Sequence, residues 1–191
     1  MAPKQKITKE MILEAAFNIT KENGFESVNA RSLATKIGCS TQPIFSRYAS
    51  MIDLKKDFHV YVGNYFNEYA FSKMQGDNAI RELGLAYINF GKNNSNLFKL
   101  LFMSELMGLN EFSDMFGDED NVEVARVLSE NIGISLEVAK NLYMKIWIFN
   151  HGIAVMAATK SINLQDGEAE KMMDDAYEAF VLQAKINQGE K

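Results

Sequence analysis

Between Asn29 and Tyr48 two short stretches of helical periodicity are separated by only three residues, Gly38-Cys39-Ser40. A chain that turns so tightly must press its two helices together, and no other feature constrains the fold as strongly. The first stretch carries Leu33, Ala34 and Ile37, with Asn29 placed to cap it. The second carries Ile44, Phe45 and Tyr48 as its apolar face, with Ser40 as its expected cap. Ala34 is small where the helices would touch, Gly38 is the turn residue four positions on, and Ile44, six beyond that, is an aliphatic to bury. Pro43 falls in the first turn of the second stretch, where a missing N–H costs nothing. The pattern is that of a helix-turn-helix.

Helical spacing continues on both sides. Thr8 can cap a first helix with Ile12, Ala15, Ala16 and Ile19 on one face, ended by a left-handed Gly24. Ser50 with Asp53 looks like a capping box for a fourth helix running to about Lys73. Further helices are predicted at about 78–93, 96–108, 120–132, 136–160 and 166–187. The chain has only two prolines and no alternating Val/Ile/Thr run, and its 47% hydrophobic content suffices for a core. The expected fold is all-α. An N-terminal three-helix domain over 1–50 contains the helix-turn-helix, and a larger helical domain covers 51–191.

Net charge is −5, yet residues 1–49 carry +3 and the remainder −8, and no acid occurs between Ser27 and Ile52. That asymmetry points the N-terminal part at a polyanion. The single cysteine, Cys39, cannot form an intramolecular disulfide, and MAPKQKITKE lacks the apolar stretch of a signal peptide, so the expected compartment is the cytoplasm. The uncharged run between Lys145 and Lys160 is fourteen residues, too short for a bilayer, so no membrane partner is expected.

ILEAA at Ile12–Ala16, ENGFESVNARSLATKIGCS from Glu22 and PIFSRYASMIDL from Pro43 resemble the N-terminal domain of the TetR family of transcriptional regulators. The likeness covers about the first 60 residues. It implies a homodimeric repressor, all-helical throughout, whose C-terminal domain binds a small effector. Three positions depart from the family pattern: Phe45 stands where many members have Tyr, Arg47 where they have His, and Met51 where a Lys commonly opens the fourth helix. In the C-terminal body, GLAYINFGKNNSNLFKLLF from Gly84 and WIFNHGIAV from Trp147 look like the subgroup named for a Trp-His-Gly motif, the letters here being Trp147, His151 and Gly152.

Within this motif, Thr41, Gln42, Ser46 and Arg47 fall where side chains reach base edges in a major groove of an operator duplex. Gln42 suits adenine, and Arg47 suits guanine or a phosphate. Arg31, Lys36 and Lys55 are expected at phosphates, and Ser40, Pro43, Phe45 and Tyr48 complete the DNA-facing set. Lys4 and Lys6 read either as minor-groove contacts or as a solubilising tail. Cys39, in the turn, reads as a packing residue.

For the body, Phe66, Phe98, Phe102, Met103, Met107, Phe112, Met115 and Phe116 concentrate large, soft side chains that either fill a core or line a cavity for a mostly apolar effector between the 96–108 and 136–160 helices. Trp147 and His151 share a helical face beside Asn150. This reads as an aromatic wall with polar handles, or as a core tryptophan with a histidine satisfied by a backbone carbonyl. Ala154, Ala158, Met173, Ala176, Phe180 and Ala184 on the last two long helices are assigned to a dimer seam, part of which intrachain packing must share.

No enzyme is expected, since there is no Gly-rich phosphate loop, no paired Cys or His at ligand spacing and no Ser with a nearby base; no metal or cofactor is implied. The acidic run Asp118-Glu119-Asp120 with Glu123 lacks the ligand pattern of a calcium loop. Two alternatives stand beside the repressor reading: a regulator controlled by a protein partner, and a helical enzyme or carrier that has kept the N-terminal module.

Overall fold

The computed structural model describes residues 6–74, 78–108, 110–117 and 119–189; Lys4, Asp118 and the side chain of Met107 fall outside these. Over the described residues the chain is all-α: α1 Lys9–Asn23, α2 Ala30–Ile37, α3 Gln42–Phe45, α4 Met51–Phe71, α5 Ala79–Asn93, α6 Ser95–Phe102, α7 Glu119–Ile132, α8 Leu136–Ala158 and α9 Glu168–Gly189. Single-turn 3-10 segments lie at Phe25–Ser27, Glu105–Met107 and Phe112–Gly117. By contacts the chain divides into two compact units, Met1–Tyr69 with Asn93–Met107, and Ala70–Lys92 with Gly108–Lys191. This is a different partition from a division at residue 50, because most of α4 and all of α6 pack with the first three helices.

In the first unit the apolar positions expected of α1 are buried: Ile12 and Ala16 completely, Ala15 and Ile19 nearly so. They join Leu33 of α2, Ile44 of α3, Leu54, Phe58 and Val62 of α4, and Leu97 and Phe98 of α6, all 0% exposed. Full burial of each such side chain contributes roughly 1.5–3 kcal/mol before ordering entropy is subtracted. Thr8 caps α1 by accepting the Met11 N–H, and Gly24 ends it at φ +83°, ψ 158°, a glycine-only region outside the left-handed helical well. Ser50 caps α4, accepting the Asp53 N–H and donating to its carboxylate.

Two predicted boundaries are corrected. The 96–108 helix ends at Phe102, because the Ser104 hydroxyl donates to the Leu100 carbonyl at 2.6 Å and accepts the Leu106 N–H, diverting the chain into a 3-10 turn. Helix α3 starts at Gln42 with Thr41, not Ser40, at its N-cap, and Thr41 makes no side-chain capping bond.

The second unit is built on α8, whose Ala139, Leu142, Tyr143 and Ile146 pack with Leu128 of α7, Ile134, Met115 and Ala184 of α9. The Tyr143 hydroxyl donates to Asn121, whose amide donates to the Met115 carbonyl, tying the 3-10 turn to α7 and α8. No helix among the described residues is long and apolar enough to cross a membrane.

Candidate functional site

The turn between α2 and α3 is set by backbone bonding. Asn29 caps α2 by accepting the Arg31 and Ser32 N–H groups. Gly38 takes the left-handed conformation (φ +78°, ψ 36°), its N–H donating to Ala34, as does the Cys39 N–H at 2.9 Å. Any side chain at Gly38 would be strained. Ala34 of α2 and Ile44 of α3 are buried, and the opposite side of α3 is open. Gln42, Phe45 and Ser46 are exposed, Phe45 by 52%, so Phe45 departs from the apolar face expected for it.

The other residues of the DNA-facing set divide. Arg31, Ser40 and Lys36 are exposed, and Lys36 lies 3.4 Å from Glu22. Thr41, Pro43 and Lys55 are half-buried, with the Lys55 ammonium over the Phe25 ring. Ser46 donates to the Pro43 carbonyl at 2.7 Å. Arg47 is half-buried and its Nε donates to the Ile7 carbonyl at 3.0 Å, so part of the guanidinium is engaged in holding the segment before α1. Tyr48 is a correction: it is 3% exposed with its hydroxyl buried, and serves as packing beneath Lys9, whose ammonium sits 4.7 Å above the ring. Burial pushes its phenol up to about 12, with the Asp57 carboxylate adding to the shift. Lys9 in turn bridges to Asp57 at 2.9 Å, linking α1 to α4.

The residues assigned to an effector separate into distinct groups. In the first unit Phe66 and Phe98 both meet Phe102 at 5.1 Å, and Phe98 is fully buried. Met103 and Phe112 are 43% and 61% exposed. In the second unit Met115 is buried in the core, and Phe116 packs near Tyr143 with Lys140 over its ring. Trp147 stacks on His151 with centroids 4.9 Å apart, and the Tyr87 hydroxyl lies 2.8 Å from His151 Nδ1. Burial raises the Tyr87 phenol far above its ordinary value and lowers the His151 imidazole. His151, read either as a polar handle or as a histidine satisfied by a backbone carbonyl, meets a phenol 64 residues away.

Asn150 faces elsewhere. It lines a small recess of about 40 Å³, open to solvent, with Asn78, Ile80 and Arg81 of the α5 end, Ile146 and Phe149 of α8, and Met173, Asp174, Ala176, Tyr177 and Phe180 of α9. Arg81 grips Asp174 through two bonds of 2.6 and 2.9 Å, which hold the Asp174 carboxyl below its ordinary range. The sequence could not have signalled this pair, its members being 93 residues apart.

The stripe assigned to a dimer seam is corrected as well. Ala154, Ala158, Met173 and Ala184 are buried by the chain itself, and Ala176 and Phe180 are half-buried, Phe180 edge-on to Phe149. The large apolar side chains that α8 and α9 leave exposed are Leu136, Ile148, Met156, Met172, Leu182 and Ile186. Among the described residues no group of three or more His, Cys, Asp or Glu is placed to hold a metal.

No family model matches the chain. It is 21% identical over 175 residues to an uncharacterized HTH-type transcriptional regulator, YobS, of Bacillus subtilis (strain 168), covering 90% of each chain. Among solved structures it superposes on a TetR-like transcriptional regulator from Rhodococcus sp. RHA1 with a TM-score of 0.58 and 15% identity, covering 98% of this chain and 99% of that one. The chain therefore has the all-helical fold of a TetR-like transcriptional regulator.

Proposed function

We propose that this chain is a DNA-binding transcriptional regulator, a cytoplasmic homodimer that represses from an operator and is released by a small, mostly apolar effector. Residues 1–50 bind DNA, and 51–191 bind the effector and dimerise. The observation that carries the reading is the outward face of α3: Gln42, Phe45 and Ser46 stand exposed on a helix pinned by buried Ile44, inside a segment without acids. A large aromatic held in solvent next to polar side chains suits contact with a thymine methyl and base edges. Arg31, Lys36 and Lys55 supply phosphate contacts, and Arg47 orders the arm that carries Lys6. The likeness to two proteins described as transcriptional regulators supports the same reading. Trp147, His151 and Gly152 support membership of the Trp-His-Gly subgroup.

A single short helix reads few base pairs, so two copies must address successive major grooves. The exposed apolar residues of α8 and α9 are the seam we assign to that dimer. The test is selection of an operator from random duplexes, followed by a salt titration. Affinity falls steeply with salt as counterions are released, and Gln42→Ala costs about 1–3 kcal/mol per half-site. A flat salt response, or selection of no sequence, overturns the proposal.

A further inference from the structure

We propose that Arg47 is a positioning residue that clasps Ile7, just before α1, to the end of α3, and so sets the exposed Lys6 against a phosphate of the operator backbone. The DNA role of Lys6 rests on the regulator reading above, whereas the clasp rests on geometry alone. Arg47 Nε donates to the Ile7 carbonyl at 3.0 Å, across 40 residues of sequence. The Arg47 N–H and the Tyr48 N–H both donate to the carbonyl of Ile44, so the clasp starts from the buried anchor of α3. A second contact runs alongside it: the Lys9 ammonium lies 4.7 Å from the ring centre of buried Tyr48 and bridges to Asp57 of α4 at 2.9 Å. Thr8, between the two contacts, caps α1. Residues 7 and 9 are thus held on residues 47 and 48. Lys6, one Cα step of about 3.8 Å before Ile7, is carried to the end of α3 with them.

Charge decides which of these side chains remains for DNA. Lys9 is paired with Asp57, and Lys36 reaches a phosphate only in exchange for Glu22. The Glu10 carboxyl is held below its ordinary value first by its own backbone N–H and the Thr8 hydroxyl, then by the charges of Arg47 and Lys9. Part of the Arg47 charge is therefore already answered at the start of α1. Lys6 is exposed and has no ion pair among the described residues. Its ammonium is a compact point charge that suits a phosphate, and phosphate contacts position a protein without reading sequence. The guanidinium plane of Arg47, by contrast, is set by the Ile7 carbonyl, which takes it away from reading guanine.

The experiment separates the clasp from the charge by two substitutions in the full chain. Arg47→Gln places an amide nitrogen where Nε stands and removes the charge, whereas Arg47→Lys keeps the charge and places a methylene there. Without DNA, tryptic cleavage after Lys6, read by mass spectrometry, should be faster in Arg47→Lys than in Arg47→Gln. On an operator selected from random duplexes, Lys6→Ala should lower the slope of log affinity against log salt by about 0.9 per subunit and leave the selected sequence as it is. That change should persist in the Arg47→Gln background and vanish in the Arg47→Lys background, a coupling that a general loss of stability would not produce. Circular dichroism confirms the helical fold of each variant. Equal cleavage of the two Arg47 variants overturns the clasp. A Lys6→Ala effect that survives in Arg47→Lys, an unaltered salt slope in Lys6→Ala, or a changed operator preference in Arg47→Gln overturns the positioning role. If no operator is selected, the regulator reading fails and the DNA role of Lys6 fails with it, while the cleavage rates still decide the clasp.

Discussion

Helix α3 and helix α8 use their side chains in opposite ways. The four residues of α3 bury one anchor, Ile44, and turn Gln42 and Phe45 to solvent, whereas α8 runs 23 residues and buries nine, Asn150 among them. What holds α3 in place is close by in sequence: the cap at Asn29, the left-handed Gly38 and the Ala34 carbonyl that accepts the Gly38 and Cys39 N–H groups. What surrounds α8 comes from α5, α7 and α9. A short helix fixed by local bonding is free to spend its remaining surface on a partner. A long buried helix acts through what it encloses, and that depends on elements far along the chain.

The sharpest break of this comparison is at adjacent residues. Ile44→Ala removes a fully buried side chain and is expected to cost about 2–5 kcal/mol in chemical denaturation. Phe45→Ala should leave stability within about 0.5 kcal/mol while weakening operator binding. If both substitutions move stability alike, α3 is not an anchored, outward-facing helix.

Next in size is the contrast between two apolar residues of α9. Leu182, 63% exposed, belongs to the proposed seam, and Leu182→Asp should convert dimer to monomer in analytical ultracentrifugation with little loss of subunit stability. Phe180, packed edge-on to Phe149, should show the reverse: Phe180→Asp destabilises the subunit by about 1–3 kcal/mol. A wild-type protein that sediments as a monomer at micromolar concentration rules the seam out.

Smaller again is a pair of helical glycines. Gly152→Ala meets nothing within 4 Å and should stabilise α8 by about 0.5–1 kcal/mol through helix propensity. At Gly84 the same gain is opposed by displacement of Asn150 and Met173, so Gly84→Ala should be net destabilising, by up to about 2 kcal/mol. Thermal denaturation of both variants decides whether the approach of α5 to α8 and α9 is as tight as described.

The smallest effect is on pH. Burial holds the imidazoles of His59 in the first unit and His151 in the second below their ordinary value of 6.5. The unfolded chain therefore takes up protons first, so stability is full above that value and declines as pH falls through it toward the lower folded values. Tm should be lower at about pH 5.5 than at about pH 7.5, and His151→Phe should flatten part of that slope. Asp57 and Asp174, held below 3.8 chiefly by hydrogen bonds from Lys9 and Arg81, act only at lower pH and do not confuse the reading.

Much of the first unit was legible in the sequence because its determinants are local. Thr8 and Asn29 cap the helices they precede, Gly24 and Gly38 take positive φ, and the apolar spacing of Ile12, Ala15, Ala16 and Ile19 is the buried face of α1. The sequence misled where a residue type suits two environments. Phe45 and Tyr48 are both aromatic and three apart, but only Tyr48 points under Lys9 into the core. Apolar spacing on α9 marked Met173 and Ala184 without saying whether they meet this chain or a second one, and here they meet this chain.

Hydrophobic period, capping side chains and turn glycines act over a few residues, and by themselves they determined an all-helical chain with a helix-turn-helix at its start and a charge asymmetry across its length. Tertiary structure alone decided that Asn150 would be buried while its neighbour His151 pairs with Tyr87, and that Arg81 would meet Asp174. The physical reason is that a side chain's solvent and partners are set by whichever distant helix packs over it. Periodicity places a residue on a face, but which helix that face meets is settled only when the helices assemble.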